Sequence, residues 1–138
     1  MAKSGFGWAL LALISIVGDL SAKGPNVLLI VSDDLNRHLA ITGYDQVATP
    51  ALTRLAQIGM RFNRAYCQYP VCGPSRASFL TGVYPESTGV LDNKTDMRVV
   101  SPELKSLPQL FKEAGYWTGG VGKVFHGKLD QGELAWDE

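Results

Sequence analysis

The chain has 138 residues, 46% hydrophobic and 19% charged, which suits one globular domain and excludes a disordered chain. Lys plus Arg and Asp plus Glu number 13 each, so the formal net charge is zero. That balance lacks the basic excess of a nucleic-acid-binding surface, and no nucleic-acid partner is expected.

The N-terminus has the layout of a secretory signal peptide. Lys3 precedes an apolar run from Trp8 to Val17 broken only by Ser15, and Leu20-Ser21-Ala22 ends in a small residue for cleavage. The run falls short of the roughly 20 apolar residues of a membrane-spanning helix. An uncleaved anchor is the alternative. The expectation is therefore a signal peptide over 1–22, an exported (periplasmic, secreted or lumenal) protein over 23–138, and no stable membrane association after cleavage.

Asn26 to Val31 is a continuous, β-branched apolar run and predicts a strand buried on both faces, as in a parallel sheet. Asp33 and Asp34 follow at its carboxyl end, where ligands bind in open α/β sheets. Thr49-Pro50 predicts a helix start, with Leu52, Leu55 and Ala56 as its apolar stripe and Gly59 as its stop. Met60 to Tyr66 predicts a second strand. Pro74 predicts a short helix to about Leu80, ended by Gly82, with Cys72 just ahead of an N-terminus suited to an anion. Pro85 to Pro102 shows no period and reads as a long loop. Ser106-Leu107-Pro108-Gln109 predicts a capping box, followed by a helix that Gly115 closes. Tyr116 to Val121 predicts a third strand, weakened by Gly119 and Gly120. Strand, helix, strand, helix, strand indicates an α/β fold with a mainly parallel sheet flanked by helices.

Three groups of residues carry possible chemistry. Asp33 and Asp34 repel each other unless a cation or hydrogen-bond donors compensate, so the pair is either half of a hard-cation site or a solvated turn. Cys72 and Arg76 are four positions apart, one helical turn if Pro74 opens a helix. Cys67 and Cys72 are close enough in sequence for a disulfide, which export would permit; spacing alone leaves bridge and free thiols equally open. Lys123 and His126 form a Lys-x-x-His that could place a charge on an anion and assist proton transfer. By itself such a pair is more often surface. His38 receives no role.

Cys72-Gly73-Pro74-Ser75-Arg76, continuing into Ala77-Ser78-Phe79-Leu80-Thr81-Gly82, resembles the sulfatase signature. Asp33-Asp34 after the first strand and Gly122-Lys123-Val124-Phe125-His126 after the third resemble further motifs of that family, in its order. Asp33 to Asn36 and the Gly-Lys-Val-Phe-His run look closest to the iduronate-2-sulfatase branch. The resemblance spans about Pro25 to His126.

It implies an alkaline-phosphatase-like fold, of which 23–138 is an N-terminal part. It implies that a maturation enzyme oxidises Cys72 to formylglycine, whose hydrated form attacks the sulfur of a sulfate ester. Asp33, Asp34 and residue 72 are then ligands of one divalent metal, Ca²⁺. Arg76 and Lys123 offset transition-state charge, and His126 helps proton transfer. The expected partners are a sulfated small molecule or glycan and the formylglycine-generating enzyme. The context argues against a Cys67–Cys72 bridge. A cysteine-dependent phosphatase is disfavoured, because three residues separate Cys72 from Arg76 and Val71 precedes the cysteine. Sulfatases are much longer, so a truncated inactive fragment is the alternative, and this chain alone is expected to turn over little. A related phosphoryl-transfer hydrolase is a weaker reading.

Overall fold

The computed structural model describes residues 24–126 and 132–138. The expected signal peptide lies outside the described residues. Two compact units divide the chain, Met1–Ile30 and Val31–Glu138. In the first unit the described residues, 24–30, have no regular secondary structure and are exposed, with Leu28 84% and Ile30 79% accessible.

The second unit is helical with long irregular connections. A 3₁₀ turn at Ala40–Thr42 precedes α1 (Pro50–Ile58) and α2 (Cys72–Thr81). Then follow α3 (Pro85–Thr88), α4 (Met97–Val100), α5 (Leu107–Glu113) and α6 (Gly132–Ala135). No strand forms among the described residues. The segments 26–31, 60–66 and 116–121 are without regular secondary structure, because a strand exists only through hydrogen bonds to a neighbour. Their apolar side chains stay accessible, Met60 and Phe62 included. Among the described residues the parallel sheet is thus neither formed nor replaced by another sheet.

Proline and glycine signals place helix ends well. Pro50 occupies the first turn of α1, and Gly59 follows its last residue. Gly82 ends α2 with φ +72°, a left-handed conformation that costs glycine nothing. The side-chain caps differ from expectation. The Thr49 hydroxyl accepts from Ala40 N at 3.2 Å instead of capping α1. Ser106 precedes α5 but makes no cap bond, and its fully buried hydroxyl has no partner among the described residues. Gln109 does not complete a box; it binds Arg98 Nη2 at 2.7 Å and Glu113 at 3.2 Å. The stretch from Pro85 to Pro102 is not wholly a loop. It holds α3 and α4, four residues each, too short to display a helical period.

α2 is the centre of the packing. It lies against α3 and α5, and α5 lies against α6. Ala77 on α2 packs with Val90 and Met97. Leu80, one turn further on, packs with Phe125 and Ala135, and Val124 and Trp136 close around them. Phe125 and Trp136 meet edge to face with ring centres 6.0 Å apart. Beside this cluster the chain end pairs with segment 116–121. Asp137 N donates to Thr118 O at 2.8 Å, and Gly120 N donates to Glu138 O at 3.3 Å. The Asp137 carboxylate accepts from Thr118 N at 2.8 Å and meets Lys112 Nζ at 3.0 Å.

Candidate active site

Cys72 is the first residue of α2 and half-buried, so the helix begins two residues earlier than Pro74 suggested. Pro74 is accommodated because first-turn amides have no intrahelical acceptor to lose. Cys72 therefore sits in the first turn, not ahead of it. Cys67 and Cys72 are both free thiols.

Arg76 lies one turn along α2 with only 4% of its side chain accessible. A buried guanidinium must be compensated. Its Nη1 donates to the carbonyls of Lys123 at 2.5 Å and Val124 at 2.7 Å, and its Nη2 stands 3.1 Å from Asp33 Oδ1. Arg76 thus ties α2 to Asp33 and to the backbone that carries Lys123, while its buried Nε has no partner among the described residues. Lys123 Nζ reaches the other oxygen of the same carboxylate, Asp33 Oδ2, at 2.9 Å. Gly122, at φ +74°, makes the left-handed turn that delivers Lys123. The packing of Leu80 against Phe125 holds this loop on α2, since Phe125 adjoins both Val124 and His126.

The electrostatics follow from these contacts. Hydrogen bonds from Lys123 and then Arg76 hold the Asp33 carboxyl below the usual carboxylate range, against the opposing effect of partial desolvation. The Asp33 hydrogen bond in turn holds the Lys123 ammonium above its usual range, against partial desolvation and the nearby Arg76 charge. Asp33, Arg76 and Lys123 therefore act on one another as one charged group.

Two expected residues make no hydrogen bond or ion pair to this charged group among the described residues. Asp34 is exposed in a left-handed conformation, φ +55°, with no hydrogen bond or ion pair to its side chain among the described residues. His126 is half-buried and lines a cavity of about 30 Å³ with Gly73, Thr95 and Asp96. The Asp96 Oδ2 atom is buried and without a partner among the described residues, while Oδ1 caps α4 by accepting from Arg98 N at 2.8 Å. His38 stacks on Tyr44, ring centres 4.5 Å apart, away from these groups in role.

Whether the residues suit a divalent cation is a question of donors. Asp33 and Asp34 are hard oxygen donors of the right kind, yet Ca²⁺ takes about six to eight oxygens. Each Asp33 oxygen already holds a cationic nitrogen, and among the described residues no three His, Cys, Asp or Glu side chains gather around one point. Asp33 and Asp34 thus match a hard cation in donor type, while the described residues gather no complete shell.

One contact in the site had no motif to announce it. Asn93 Oδ1 accepts from Gly73 N at 2.8 Å and lies 3.4 Å from Cys72 Sγ. Asp92-Asn93, a turn-forming pair in the stretch without a period, was the available sequence clue.

Comparison with known proteins places the chain. A family model described as Sulfatase matches residues 25–134. A protein of Formosa agariphila named Sulfatase is 40% identical over 120 residues, covering 78% of this chain and 24% of that protein. Human iduronate 2-sulfatase is 46% identical over 101 residues, covering 73% and 18%. Canine N-acetylgalactosamine-6-sulfatase is 39% identical over 140 aligned positions, covering 91% and 27%. The chain thus spans about a fifth to a quarter of the length of these relatives. Both by the family model over most of its length and by these identities, the chain belongs to the sulfatase family.

Proposed function

We propose that this chain carries the nucleophile-bearing part of a formylglycine-dependent sulfatase that hydrolyses sulfate esters of a carbohydrate. The observation that supports it is the meeting of Arg76, one helical turn from Cys72, and Lys123 on the two oxygens of the Asp33 carboxylate. Asp33 and Lys123 meet across 90 positions of sequence, and no local pattern demands that they do. Relatives named for sugar sulfates support the substrate class. Family membership supports an α/β fold in which segments 26–31, 60–66 and 116–121 are strands of a mainly parallel sheet.

In this reading residue 72, oxidised to the aldehyde and hydrated, supplies the oxygen nucleophile and a second hydroxyl that lets sulfate be expelled. A divalent cation, Ca²⁺, supplies Lewis acidity towards the sulfate oxygens. Asp33, Asp34 and residue 72 are its proposed ligands. Arg76, fixed by two carbonyls and Asp33, presents a charge that costs no reorganisation when negative charge builds up. Lys123, held protonated by Asp33, adds a second positive charge beside residue 72. His126 transfers a proton to or from the departing groups. The protein is exported through the segment 1–22. No described helix is long and apolar enough to cross a membrane.

The test is co-expression with a formylglycine-generating enzyme, followed by the mass of the peptide containing residue 72. The formylglycine mass is expected. Only thiol, or a Cys67–Cys72 disulfide, would sink the reading.

A further inference from the structure

We propose that Asn93 is a positioning residue for the reacting group at position 72, capping α2 from outside the helix and holding the residue 72 side chain. The inference rests on the reading of residue 72 as the nucleophile, and extends it to a residue that no motif singles out.

A helix begins with four backbone N–H groups that lack intrahelical acceptors, and the residue before the first turn commonly supplies a side-chain oxygen. Here that residue is Val71, which has none, although its carbonyl accepts the first helical bond from Ser75 N at 3.0 Å. Pro74 removes one of the donors outright. Gly73 N is satisfied by Asn93 Oδ1 at 2.8 Å, a side chain arriving from 20 positions downstream. The same oxygen lies 3.4 Å from Cys72 Sγ, within reach of a weak S–H donor. One carboxamide oxygen therefore fixes both the first turn of α2 and the side chain that the turn presents.

The loop that carries Asn93 is itself tied down. Asp92 Oδ1 accepts from Lys94 N at 2.9 Å, Thr95 N at 2.8 Å and Thr95 Oγ1 at 2.7 Å. These bonds, that of the Thr95 hydroxyl first, hold the Asp92 carboxyl below its usual range. The approach is close. A Cβ on Gly73 would stand 2.8 Å from Asn93 Oδ1 and 2.9 Å from Asp92 O. The contact also occupies an amide that would otherwise face an anion at the helix start. Positioning residue 72, not seating sulfate, is what that amide does.

The experiment uses the full chain, unmatured, as wild type, Asn93→Ala and Asn93→Asp. Aspartate keeps an oxygen acceptor at the same place. Two quantities are measured: amide exchange at Gly73 relative to Ser75, and iodoacetamide alkylation of Cys72 relative to Cys67, resolved by peptide mass. For Asn93→Ala we expect the Gly73-to-Ser75 exchange ratio to rise at least about fivefold, the factor for loss of one cap. The Cys72-to-Cys67 alkylation ratio changes with it, and Asn93→Asp restores both. Unchanged ratios in Asn93→Ala overturn the proposal. So does equal acceleration at Gly73 and Ser75, which would mean that Asn93 supports the fold as a whole. Neither measurement needs formylglycine or turnover, so failure here is distinct from failure of the proposed function.

Discussion

Lys123 Nζ stands 2.9 Å from Asp33 Oδ2, while Arg76 Nη2 stands 3.1 Å from Oδ1 of the same carboxylate. One acid thus joins the helix that presents Cys72 to the loop that carries Lys123 and His126. Lys123 and Asp33 are each a little under half exposed, so their pair contributes little stability and weakens with salt. Its consequence is geometric: Lys123 is held in place, protonated, on the carboxylate that also binds Arg76 of α2.

The pH dependence of this linkage has a definite sign. Asp33 is lowered from an ordinary 3.8, so its contribution is present above that value and is lost as pH falls through the lowered folded value. Lys123 is raised from 10.5, so its contribution is present below that value and is lost as pH rises through the raised one. The melting temperature of wild type minus that of Asp33→Asn should be positive and steady between these limits and should shrink beyond both. A difference that stays constant down through the acid range would contradict the assignment.

Calcium should bind weakly to the wild-type chain and not to Asp33→Ala/Asp34→Ala. Asp33 must share its oxygens with Arg76 and Lys123, and the carboxylate pair supplies only part of a shell of about six to eight ligands. Titration calorimetry decides between the two proteins. Equal heats and affinities would remove the cation from these carboxylates.

Leu80→Ala should be the most damaging of simple core truncations. Leu80 is 1% exposed and joins α2 to Phe125, the residue that follows the Arg76-bound carbonyls of Lys123 and Val124 and precedes His126. A loss of about 2–5 kcal/mol is expected, with Leu80→Met costing under about 1.5 kcal/mol. Urea midpoints measure both. A cost for alanine no greater than for methionine would show that Leu80 does not brace this loop.

Local chemistry made a large part of this protein legible in its sequence. Pro50 with Gly59 bracketed α1, and Gly82 ended α2, because backbone restriction at proline and freedom at glycine act within one or two residues. The Cys72-to-Arg76 spacing placed both residues on one face of a helix for the same local reason. Its motifs also identified the sulfatase family, which the comparisons established independently.

Only the tertiary structure decided which groups meet. Four-residue turns such as α3 and α4 have too few residues to show a period, so they could not be seen beforehand. Thr49 and Ser106 had the right chemistry for caps, yet the Thr49 hydroxyl was taken by the amide of Ala40, while that of Ser106 was buried without a cap bond. Arg76 turned to Asp33 and to two distant carbonyls, and Asn93 capped a helix to which it does not belong. A buried charge and an open helix end both demand partners, but the demand specifies an acceptor and not a position in the chain. Which acceptor answers depends on what packing brings within about 3 Å. Across 20 to 90 positions, sequence pattern carries no record of that distance.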